Sequence, residues 1–142
     1  MSDQRKWDQR FLEMAYLVGG WSKDPSTKTG AVIVDTQKRV VSVGYNGFPA
    51  PVADDARLHC RELTYEIIVH AEVNALIFAQ RTVVGCTLYT SPFMSCSRCA
   101  AMMIQAGITR HVAPHNNEPR WAQSFALAQE LFRETHVEVV WR

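Results

Sequence analysis

Four residues of this chain have the types and the spacing to do chemistry together: His70 and Glu72 in His70-Ala-Glu72, and Cys96 and Cys99 in Cys96-Ser-Arg-Cys99. Cysteines three apart at the start of a helix share a face, so both sulfurs can reach one tetrahedral ion at about 2.3 Å. The imidazole of His70 supplies a third donor, and zinc is the metal that such a set suits. No fourth Cys or His stands at an obvious ligand spacing, so the fourth position is left to water, which favours catalysis over scaffolding. Two thiolates weaken the Lewis acidity of the ion, but both ligand segments start helices, whose partial positive charge offsets that donation. Glu72 lies two residues from His70 and can serve the same ion only if the ion sits beyond the helix end, where it would act as general acid and base. A C-x-x-C pair alone would equally fit a structural zinc or thiol redox module. Glu72 separates the readings, because a structural site has no use for a proton carrier. Cys60 and Cys86 stand alone and are read as reduced structural thiols.

These residues need a scaffold, and the 142-residue, 16.1 kDa chain has the size of one domain, 1–142, with 47% hydrophobic residues for its core. Trp7, Phe11, Met14, Ala15, Val18 and Trp21 recur at helical steps and predict an amphipathic helix from Arg5 to Trp21. Gly30–Val34 and Val40–Gly44 read as an antiparallel strand pair, and Tyr45 to Glu62, with Gly47, Pro49 and Pro51, as a long loop. Helices His70–Arg81, Cys96–Ala106 and Trp121–Glu134 then alternate with strands Thr87–Thr90, Ile108–Ala113 and Val137–Trp141, with Gly107 as a C-cap. The expected fold is α/β, a mixed sheet covered by helices. A net charge of +1 gives no sign of a surface for duplex nucleic acid, and no apolar run approaches a membrane span. A small-molecule substrate and a cytoplasmic location are expected.

The pairing of H-x-E with C-x-x-C resembles the signature of the zinc-dependent deaminases. The runs Trp21 to Val34, Gly44 to Pro49, His70 to Ala75, Cys96 to Cys99 and Ile104 to Ile108 together resemble the deoxycytidylate deaminase family over nearly the whole domain. The resemblance implies a three-layer α/β/α fold with a mixed five-stranded sheet and one catalytic Zn2+ per subunit. It implies hydrolysis of dCMP to dUMP and ammonia, with Glu72 moving protons to the ring nitrogen and the leaving amine. It also implies a homo-oligomer, a dimer or hexamer, and responses to dCTP and dTTP in some members. By the same resemblance Asn46 binds sugar or phosphate and the Ala71 backbone binds the pyrimidine carbonyl.

One departure concerns the base pocket. The family usually has proline immediately before the first ligand cysteine, where this chain has Ser95, with Pro92 further upstream in a stretch about one residue longer. Ser91, Phe93 and Met94 are therefore expected to form the pocket wall in their own way. A monophosphate needs backbone donors and a cation, for which Lys28 and Asn46 are the candidates and Arg120 a third. The alternative substrates are another base or nucleoside, including adenosine in RNA, although Asp54 and Asp55 in the long loop oppose an RNA surface.

Overall fold

The computed structural model describes residues 2–142. Helix α1 (Asp3–Gly19) begins where the Ser2 hydroxyl accepts the Arg5 amide, and it sets Phe11, Ala15 and Val18 on one buried face. Strands β1 (Gly30–Val34) and β2 (Val40–Tyr45) follow as an antiparallel pair. A 3-10 turn at Ala56–His59 and a short helix α2 (Arg61–Ile67) lead to α3 (Ala71–Phe78). The remainder alternates β3 (Thr87–Ser91), α4 (Ser97–Ala106), β4 (Arg110–Ala113), α5 (Ala122–Glu134) and β5 (Glu138–Trp141).

The sheet runs β2-β1-β3-β4-β5, antiparallel through β2, β1 and β3 and parallel from β3 to β5. Side chains alternate across it with period two. Val32, Val34, Tyr89 and Val112 face α1, while Ala31, Ile33, Leu88 and Ala113 face a second core built with α3, α4 and α5. The result is the expected three-layer arrangement with a mixed five-stranded sheet. Two glycines let helices approach their strands closely. A Cβ on Gly30 would lie 1.9 Å from the Ala15 carbonyl oxygen, and one on Gly44 would lie 2.4 Å from that of Ala71. The second contact seats the start of α3 against β2. Among the described residues no helix is long and apolar enough to cross a membrane.

Three expectations need correction. The segment read as loop from Tyr45 to Glu62 holds the 3-10 turn and runs into α2, which the sequence reading omitted. Helix α3 stops at Phe78 rather than Arg81, because Ala79 turns to extended backbone at φ −67 and ψ 120. Trp21 lies beyond α1 and is 56% exposed, its ring edge meeting Tyr45 instead of the core.

Candidate metal and active site

His70 and Cys96 occupy equivalent places as the N-caps of α3 and α4, both with extended backbone. Neither side chain caps its own helix, so each is free to reach the other. Their helix starts converge: His70 Nδ1 lies 3.3 Å from Cys99 Sγ and 3.6 Å from Cys96 Sγ, and the three donor atoms all fall within 4.8 Å of one another. Metal bonds of about 2.0–2.3 Å in a tetrahedron separate donors by about 3.5–3.8 Å, so this set fits zinc. Placing His70 before the helix also resolves the two-residue spacing to Glu72, which sits in the first turn of α3 and lines the same pocket.

The charges of the cluster are interdependent. Hydrogen bonding from Cys99, joined by His70 and opposed by burial, holds the Cys96 thiol down at about 4. The Cys96 sulfur and burial push the Cys99 thiol up, and contact with Cys96 pushes the His70 imidazole up. A cation binding these donors would displace the protons that Cys99 and His70 favour. Burial pushes the Glu72 carboxyl up, against an opposing influence from the His70 imidazole. A carboxyl raised in this way keeps a proton more readily than an exposed one, which is the direction that suits a general acid.

Above these residues the pocket has an apolar wall of Phe93, Met94, Trp121 and Phe125, and Trp121 meets the His70 ring edge-on with centroids 6.5 Å apart. Ser91 and Thr90, at the end of β3, complete that side. The opposite side is the loop before β1, where Asp24, Ser26, Thr27 and Thr29 line the pocket with Asn46. Asn46 is buried and its amide is fully engaged with that loop.

Arg120 reaches the rim, with Nη2 3.1 Å from Thr27 Oγ1 and Nε 3.2 Å from Glu118 Oε1. Lys28 does not join it. Its ammonium donates to the Ser22 carbonyl, and the side chain lines a separate depression with Tyr16, Leu17 and Pro92. The Ala71 carbonyl is packed against Gly44 and Ala71 itself is fully buried. Two rim residues escaped the sequence reading. Arg61 and Tyr65 of α2 line the pocket, with the Arg61 guanidinium 4.6 Å from the Tyr65 ring centroid and 3.9 Å from Asp24 Oδ1. Ser95, in the place where the family usually has proline, has a buried hydroxyl that finds no protein partner among the described residues.

Known proteins resemble this chain in sequence and in fold. Residues 5–114 match the model of the cytidine and deoxycytidylate deaminase zinc-binding region. The chain belongs to the cytidine and deoxycytidylate deaminase family. It is 45% identical over 139 residues to an uncharacterized deaminase in the luxG 3'region of Aliivibrio fischeri, covering 96% of this chain and 93% of that one. The deoxycytidylate deaminase of Mus musculus is 38% identical over 145 residues, covering 93% and 81% respectively. Among solved structures, dCMP deaminase from the cyanophage S-TIM5 in apo form superposes with a TM-score of 0.78 at 20% identity, covering 100% of both chains. Its complex with dCMP and dUMP gives 0.76 at 22%, covering 100% of this chain and 99% of that one. The family activity is zinc-dependent hydrolytic deamination, and His70, Cys96 and Cys99 form the described group able to hold the ion.

Proposed function

We propose that this deaminase acts on dCMP, releasing dUMP and ammonia. One observation carries the reading: His70, Glu72 and Cys96 line the same pocket as two part-exposed guanidinium groups, Arg61 and Arg120, and His70 and Cys96 form with Cys99 a group able to hold a metal. A base pocket over a metal centre suits cytosine, and a cationic rim suits the phosphate at the other end of the same molecule. Relatives named as deoxycytidylate deaminases support the choice of nucleotide.

In this reading His70, Cys96 and Cys99 hold zinc, which when bound supplies the Lewis acidity that turns water into a nucleophile at neutral pH. Glu72 takes a proton, returns one to the ring nitrogen and assists departure of the amine. Phe93, Met94 and Phe125 shed water from around the base and hold it flat. Asn46 shapes the sugar side by fixing the 24–29 loop, and Arg61 and Arg120 neutralise the phosphate, with Ser26 and Thr27 hydroxyls beside Arg120. Self-association belongs to the same proposal, and the exposed Leu17, Ile77 and Phe78 side chains offer apolar surface for it.

Incubating zinc-loaded protein with dCMP, CMP, deoxycytidine, dCTP and adenosine, and following ammonia release, tests the assignment. The expected order places dCMP first. Preferential turnover of adenosine would overturn the choice of base.

A further inference from the structure

His111 lies on β4, in the second core, where the strand's alternation calls for an apolar residue. It is fully buried, its ring packed 5.5 Å from that of Phe132. Both ring nitrogens are engaged. Nδ1 lies 2.9 Å from the Leu88 carbonyl oxygen, and Nε2 lies 3.1 Å from the Ser95 amide nitrogen, which donates to it. A carbonyl only accepts and an amide N–H only donates, so a single tautomer satisfies both contacts: Nδ1 carries the proton and Nε2 is bare. Burial holds the imidazole down at about 4, against the Leu88 carbonyl, which keeps it neutral at pH 7.

The amide it accepts belongs to the residue immediately before Cys96. A proline at that position would have no N–H to satisfy, whereas the buried Ser95 amide requires an acceptor. The turn that carries the first cysteine is thereby held at two amides: Ser95 by His111, and Ser97 by the Ser124 hydroxyl at 2.8 Å.

We propose that His111 is a positioning residue for the metal centre, a fixed acceptor that holds the Ser95 amide and through it aims Cys96 Sγ at His70 and Cys99. The inference rests on the reading of His70, Cys96 and Cys99 as zinc ligands, but not on dCMP as the substrate. Partners that orient a ligand without touching the metal commonly change metal affinity by about 10- to 100-fold.

Chelator competition on the purified protein, paired with the visible spectrum of its cobalt(II)-substituted form, reads this directly. His111→Leu removes the acceptor while keeping bulk, and should weaken zinc binding about 10- to 100-fold and displace the cobalt bands, with the circular dichroism of the fold unchanged. His111→Gln restores an acceptor oxygen and should recover most of both signals. Wild-type affinity and spectrum in folded His111→Leu, or equal loss in both variants, would overturn the positioning role. Failure of the unmutated protein to hold zinc would instead overturn the ligand assignment beneath it. Nitrogen-15 spectra of the unmutated protein give a second reading that needs no variant. The proposal requires a neutral His111 protonated at Nδ1, and an Nε2–H tautomer or an imidazolium would contradict it.

Discussion

Asn46 Oδ1 accepts a 2.9 Å hydrogen bond from the Thr29 amide, while Nδ2 of the same side chain donates at 2.9 Å to the Thr27 carbonyl. One buried amide group thus joins the end of β2 to the loop that forms the pocket's polar side. The same nitrogen approaches Asp24 Oδ2 at 3.4 Å. Asn46→Asp keeps the acceptor but turns the donor into an oxygen facing the Thr27 carbonyl and the Asp24 carboxylate. Loss of about 2–3 kcal/mol in urea unfolding is expected, with a raised KM for dCMP. Wild-type stability in this variant would show that the clamp contributes little.

Replacing Glu72 with Gln leaves size and fold in place and removes the proton carrier. Turnover should fall by about 100- to 10,000-fold while zinc content stays at one per chain. Metal analysis alongside the rate separates this from loss of the site, and near wild-type turnover would assign proton transfer to another group.

The rim predicts opposite outcomes for two cations. Arg120→Ala should raise KM for dCMP about 10-fold and leave the slow rate with deoxycytidine unchanged, because only the nucleotide has a phosphate to lose contact with. Lys28→Ala should behave like the unmutated enzyme, since that ammonium bonds to the Ser22 carbonyl in a separate depression. Rising salt should weaken dCMP binding in both the unmutated protein and Lys28→Ala.

Stability in acid should depend on Asp8 of α1, which is buried against Tyr89, Arg110 and Arg142. Burial opposes its charge, but hydrogen bonds from Arg110, Tyr89 and Gln4 prevail and hold the carboxyl at about 2, below its ordinary 3.8. A depressed folded-state value stabilises the protein above the unfolded one, so the contribution is complete above about pH 4 and disappears as pH falls through about 2. It amounts to roughly 2 kcal/mol. Denaturant titrations from pH 5 to 2 should show this fall in the unmutated protein and a flatter profile in Asp8→Asn, and parallel profiles would exclude Asp8 as the source.

The group able to hold a metal was legible because His70, Cys96 and Cys99 sit in short local motifs, the first strand because Gly30–Val34 is an apolar run of ordinary strand length, and Thr87–Ser91 because its β-favouring Thr, Leu and Tyr residues stand between two helical stretches. Helix α2 was not. Within it only Thr64 is buried, and Leu63 and Tyr65 face outward, so no apolar period marks it. Its fold depends instead on the Thr64 hydroxyl reaching back to the carbonyls of Arg57 and Leu58. Arg61 and Tyr65 stayed hidden with it. Lys28 illustrates a different limit: the loop was placed at the correct end of the sheet, yet which way a loop lysine points is decided by a carbonyl six residues earlier. His111 gave no motif at all, since its role depends on a strand, a turn and a neighbouring carbonyl that meet only in three dimensions.

The ratio of kcat/KM for dCMP to that for deoxycytidine, measured on the unmutated zinc-loaded protein at low salt, tests most directly whether a metal centre and a cationic rim read the two ends of one nucleotide. Two charge-assisted contacts from Arg61 and Arg120 predict a preference for dCMP of about 100-fold or more. Equal values for the two substrates would contradict the account.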